Sequence, residues 1–130
     1  MNKRGFTVIE LLVVVVFLIA SGIVLFYQMQ RVNREHSDSQ KKTAINAIYY
    51  SLEEGFYPEN KYYPENLKDD TLKTLDPELL TDPEGIKIGQ EGSAYRYEPK
   101  NCTDNKCASY SLRALIEGES DFVKESRRKE

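Results

Sequence analysis

The first 57 residues contain no proline, the only histidine is His36, and the only cysteines are Cys102 and Cys107. Each shortage excludes something. Without proline, nothing in that opening stretch forces a helix to break. A lone histidine without a Ser-His-Asp pattern nearby supplies no triad, and His36 reads as a surface side chain. A single C-x4-C pair with no second pair makes a poor zinc site. Glycine-rich phosphate loops are also missing, and the loop-rich region beside a small sheet leaves little room for a buried active site. With 18 Lys and Arg against 21 Asp and Glu, the net charge is −3 and no basic patch stands out, which argues against nucleic-acid binding. The run Arg127, Arg128, Lys129 is interleaved with Glu125 and Glu130 and reads as a solvated, frayed tail over 125–130. No catalytic residue, metal or cofactor is expected.

Charge is scarcest between Phe6 and Tyr27, where FTVIELLVVVVFLIASGIVLFY holds 22 residues and one charge, Glu10. As a helix this segment is roughly 33 Å long, enough to cross a bilayer core. Val13 to Val16 would favour a strand in water, but in lipid every backbone group must be satisfied internally, which selects a helix. The remainder is polar enough for a soluble domain. Outside the cytoplasm Cys102 and Cys107 would oxidise to a disulfide, whereas a reducing compartment would keep two thiols.

Three readings of the N-terminus compete. A secretory signal has an apolar stretch of 7 to 15 residues followed by small residues. Here the stretch is longer, and Ala20-Ser21-Gly22 lies inside it. On composition alone an ordinary single-pass anchor leads, with Lys3 and Arg4 at one end and Arg31 and Arg34 at the other. Glu10 does not suit an ordinary anchor, because a charge at the centre of an apolar helix costs about 2.5–3.5 kcal/mol, and less near an end. Nor does the abrupt change from Lys3-Arg4-Gly5 to Phe6.

The run Lys3-Arg4-Gly5-Phe6-Thr7-Val8-Ile9-Glu10-Leu11-Leu12-Val13-Val14 resembles the class III leader of type IV pilins and type II secretion pseudopilins. The resemblance implies a leader over 1–5, cut between Gly5 and Phe6 by a membrane aspartic peptidase, with Phe6 N-methylated as the new first residue. It implies that Glu10 pairs with the terminal amine of a neighbouring subunit, here that of Phe6. Such a pair sets register, since a misregistered neighbour leaves a buried charge alone. A carboxylate snorkelling to the membrane surface is the plainer account of Glu10. Removing Lys3 and Arg4 leaves 16 basic residues against 21 acids, a net of −5.

Residues 33–43 carry no large apolar side chain; Ile45, Ile48, Tyr49, Leu52 and Phe56 then form a one-sided helical stripe. One helix from Phe6 to Phe56 is expected, a hydrophobic part over 6–30 and an amphipathic part over 31–56. The prolines of 57–92 mark a helix-to-sheet loop, with a helical turn near Leu67 to Leu75. Tyr57, Tyr62 and Tyr63 fall in that loop, while Tyr49, Tyr95, Tyr97 and Tyr110 suit the core. Alternation predicts strands over Ser93–Glu98, Ala108–Glu117 and about Asp121–Lys124, with a hairpin loop from Pro99 to Lys106 pinned by Cys102 and Cys107. Asp69, Asp70, Asp76 and Asp82 lack the spacing of a calcium loop and read as solvated acids.

NKYYPENL over Asn60–Leu67 is similar to the N-G-x-Y-P segment of that family, with Lys61 at its glycine position. Asp82-Pro83-Glu84-Gly85, Tyr95-Arg96-Tyr97 and Tyr110-Ser111-Leu112 resemble its sheet. The expectation is therefore an α+β, pilin-like fold: one long N-terminal helix, its apolar half projecting, packed on a three- to four-stranded antiparallel sheet over 93–124. The resemblance implies a filament subunit rather than an enzyme, for a type IV pilus or for a secretion or competence pseudopilus; a membrane-anchored binding or adhesin domain is the other reading. Implied partners are copies of the chain or other pilins, the prepilin peptidase/methyltransferase, the inner-membrane assembly machinery, and the membrane itself before assembly. The soluble domain would lie outside the cytoplasm and reach the cell surface in the filament.

Overall fold

A computed structural model describes residues 4–128; residues 1–3 of the expected leader and 129–130 of the expected tail lie outside the described residues. The chain divides into two compact units, 1–35 and 36–130. Helix α1, Val8–Tyr50, runs through 43 residues without a break. In the first unit its large apolar side chains, from Val8 through Phe17 to Val32, are exposed. Gly22 leaves the helix continuous.

In the second unit the stripe expected from spacing faces the core. Ile45, Ile48 and Leu52 are fully buried, and Tyr49 and Phe56 pack partly buried at the margin. The helix does not stop at Phe56. A π-helical turn, Ser51–Phe56, leads into a last α-helical turn, α2, Tyr57–Asn60. Proline at position 58 would normally clash with the preceding turn. Here the Tyr57 N–H reaches back five residues to the Leu52 carbonyl, widening the helix just before the residue that has no N–H to give. Within the π-turn Gly55 sits where a Cβ would come 3.1 Å from Thr74 Oγ1, so a larger residue would push the 71–75 segment away.

The helix ends on Lys61, whose φ of +64° is left-handed and whose N–H bonds the Tyr57 carbonyl at 2.7 Å. This is the position that the related pattern gives to glycine, the residue that takes this conformation without strain.

Among the described residues four antiparallel strands follow: β1 Tyr63–Pro64, β2 Tyr95–Thr103, β3 Lys106–Ala114 and β4 Phe122–Glu125. β3 is central. β2 lies along one side of it from Tyr95↔Ala114 to Thr103↔Lys106. β1, at Tyr63↔Cys107, and β4, at Ala114↔Phe122, share the other side end to end. On the inner face Tyr110, Leu112 and Ala114 are buried against the helix, as alternation requires. On the outer face Arg113 bridges Glu98 and Asp121.

Three expectations are corrected. The hairpin loop is not Pro99–Lys106: the strands run on to a two-residue turn, Asp104-Asn105, with φ of +53° and +64°. Pro99 is tolerated because β2 is an edge strand, where an outward N–H needs no partner. Tyr63 is not a loop residue but a fully buried one in β1. Residues 67–75 form consecutive hydrogen-bonded turns, and the short helix is a 3₁₀ turn at Pro77–Leu80, capped by Asp76.

Candidate functional site

Gly5, Phe6 and Glu10 fall within six consecutive residues. Residues 4–7 are non-helical and exposed, so the Gly5–Phe6 bond lies in open chain. A Cβ built on Gly5 meets nothing within 4 Å. Thr7 closes the helix start: its Oγ1 accepts from the Glu10 N–H at 3.3 Å and its carbonyl from the Leu11 N–H at 3.1 Å. Thr7-Val8-Ile9-Glu10 thus has the Thr-x-x-Glu spacing of a capping box, with an acid in the first turn where the helix dipole favours it. That spacing was available in the sequence as a helix-start signal.

Beyond the cap, the helix is long and apolar enough to cross a membrane. Its apolar side chains are exposed all round, and a patch that continuous needs lipid or other helices to cover it. Ser21 keeps its hydroxyl inside the helix, donating to the Phe17 carbonyl at 2.7 Å, so it adds no unmet polarity. Glu10 is the one charge on this surface as far as Tyr27.

A second cluster, not foreseen, centres on Glu53 in the π-turn, a carboxylate only 7% exposed. Tyr63 donates to both oxygens (3.1 and 2.9 Å), Tyr110 to Oε1 (2.9 Å), and the Arg127 backbone N–H to Oε1 (3.0 Å). The signal that could have located it is the pair of core tyrosines, since a buried phenol needs an acceptor. Burial first, then the adjacent Glu53 carboxylate, pushes the Tyr63 and Tyr110 hydroxyls well above the usual tyrosine range. Tyr97, which donates to the Pro64 carbonyl, is raised by burial, and Tyr95 is pushed up to about 12 by burial and by Asp82.

The same cluster corrects the expected frayed tail. Ser126 is buried and exchanges hydrogen bonds with the Tyr110 backbone; the Arg127 guanidinium lies 5.6 Å from the Tyr49 ring centre and that of Arg128 4.9 Å from Tyr57. Stacking on aromatic faces holds these cations down while leaving them wet.

Cys102 and Cys107 are joined in a disulfide between directly opposed residues of β2 and β3. Among the described residues no group of three or more His, Cys, Asp or Glu is placed to hold a metal. Asp82 is not a solvated acid: it is buried and accepts from the N–H groups of Glu84, Ile86 and Ala94, fixing the loop before β2. Asp69 pairs with Lys87 at 2.8 Å. His36 is exposed at the rim of an open cleft of about 510 Å³ whose lining includes Ser39, Thr43, Asp76 and Glu78.

No protein-family model, curated protein or solved structure matches the chain. The architecture, one long apolar-to-amphipathic helix on a small antiparallel sheet, is compatible with that of pilins.

Proposed function

We propose that the chain is a structural subunit of a type IV pilus-like surface filament, cut between Gly5 and Phe6, N-methylated at Phe6 and assembled through α1. The observation that carries this reading is the arrangement at the N-terminus: an exposed, non-helical Gly5–Phe6 bond followed at once by an unbroken apolar helix with Glu10 in its first turn. A cut there frees an amine on Phe6. In an apolar bundle that amine and the Glu10 carboxylate of a neighbouring copy satisfy each other and fix the stagger between helices.

Before assembly the chain would sit once across the cytoplasmic membrane with Lys3 and Arg4 inside. A formed disulfide supports placing the folded domain on the oxidising side. Its partners would be further copies or related subunits, the peptidase/methyltransferase and the assembly machinery of the inner membrane.

Mass determination of the mature N-terminus tests the proposal. A terminus at methylated Phe6 is expected; an intact Met1 leaves a permanent single-pass anchor instead, and any other terminus also overturns the proposal.

A further inference from the structure

Cutting after Gly5 requires more than a small residue there. A peptidase reads its substrate through main-chain hydrogen bonds to an extended chain, and a helical backbone has those groups already engaged. Only two residues, Phe6 and Thr7, separate the bond to be cut from α1, and the surroundings favour helix. Near lipid every unpaired N–H is costly, so the first turn of an apolar helix tends to satisfy its donors by adding another turn ahead of it. Such a turn would run through Arg4, Gly5 and Phe6 and enclose the scissile bond.

In the structure that extra turn is absent. Thr7 Oγ1 accepts the Glu10 N–H, and the helix starts at Val8. In sequence terms Phe6-Thr7-Val8-Ile9-Glu10-Leu11 has every part of a helix-start signal: an apolar residue before the cap, Thr at the cap, Glu three residues on, and an apolar residue after that. We infer that Thr7 is a positioning residue for leader removal, holding the helix start at Val8 so that the Gly5–Phe6 bond stays extended and open. This rests on the filament-subunit reading, from which it takes the cut after Gly5.

The step itself is a hydrolysis. Water adds its oxygen to the Gly5 carbonyl carbon, the C–N bond to Phe6 breaks, and the Phe6 nitrogen leaves with a proton. Because the cap lies on the product side of the cut, precursor and product keep the same helix. Glu10 then serves in turn as the first-turn acid of the precursor and as a charge partner in the assembled product.

The test compares Thr7→Val, which keeps the shape and loses the acceptor, with Thr7→Ser, which keeps the acceptor. Processing of the full chain is followed by pulse–chase in the cell that makes it. Amide exchange at Phe6 and Glu10 is measured on the uncut chain in detergent micelles. Thr7→Val should be processed about fivefold more slowly, the equilibrium factor a cap residue commands, with added protection at Phe6. Thr7→Ser should remain within about twofold of the unchanged chain, as its hydroxyl caps equally well. Unaltered processing of Thr7→Val overturns the inference, and so does a Thr7→Ser chain as slow as Thr7→Val, which would place the effect in side-chain fit to the peptidase. If the unchanged chain is not cut after Gly5, the filament reading itself fails. A normal cut in the unchanged chain, with Thr7→Val cut as fast, removes this inference alone.

Discussion

The Tyr110 hydroxyl donates to Glu53 Oε1 at 2.9 Å, joining the central strand to the helix across 57 residues of sequence. Glu53 is buried, so what it accepts is not replaceable by water. Truncation by Glu53→Ala leaves two phenols and a backbone N–H without their acceptor and should cost about 2–4 kcal/mol. Glu53→Gln, which keeps one carbonyl oxygen, should cost about 1 kcal/mol. Urea unfolding of the full chain in detergent, followed by near-ultraviolet circular dichroism of the tyrosines, measures both; equal losses would show that one amide oxygen cannot stand in for the carboxylate.

Alkaline pH should unfold the second unit. Tyr63, Tyr95, Tyr97 and Tyr110 all hold their protons more tightly folded than free. An unfolded chain releases them near the ordinary tyrosine value of about 10 while the folded one retains them, so the unfolded state binds fewer protons and stability falls as pH rises. The contribution is complete below pH of about 10 and is progressively lost above it. Phenolate absorbance near 295 nm should therefore rise for these four only together with unfolding; separate early ionisation of all nine tyrosines would contradict their burial.

Replacing Cys102 and Cys107 together by Ala should cost about 2 kcal/mol, the chain-entropy value for so short a loop. The sheet should survive, because eight paired positions join β2 and β3, only one of them the cysteine pair. Thermal unfolding with and without reductant checks this: a full loss of structure on reduction would mean that the hairpin cannot hold its own register.

Lys61→Gly should stabilise the domain by about 0.5–1 kcal/mol, since the left-handed turn at φ +64° is strained for lysine and free for glycine. Lys61 is exposed, so little packing is lost in exchange. An unchanged or lowered urea midpoint would count against the strain.

Gly5→Asp should leave the leader in place, seen as a longer chain by gel. Space around Gly5 is open within the protein, so a failure to process would report the fit of the peptidase and not misfolding. Glu10→Val should still be cut but yield fewer filaments by electron microscopy, because the freed Phe6 amine then has no carboxylate to meet.

The long helix, the β2–β3 hairpin and the disulfide were legible because each repeats a simple period or pairs rare residues. Pro58 and Pro99 misled, since proline marks a break only where its N–H would have been used. A π-turn before Pro58 and an edge position at Pro99 remove that need. β1 was invisible, as two residues containing a proline carry no alternation, and only the pairing to Cys107 makes Tyr63-Pro64 a strand. The Gly5–Phe6–Glu10 spacing reads from the sequence as a resemblance alone, and what the structure adds beside it is the helix cap at Thr7. Glu53 was hidden because it lies at the margin of the apolar stripe, four residues after Tyr49, where spacing does not mark a charged side chain as buried.

Three donors reach Glu53 from three distant places: the segment just after the helix, the central strand, and Arg127 near the end of the chain. A chain interrupted before Arg127 would carry the whole sheet and leave Glu53 with the two phenols as donors but without its one backbone N–H. The segment after the last strand thus adds the final donor to a carboxylate at the helix end, so the resistance of the domain to unfolding and to proteases grows when Arg127 docks.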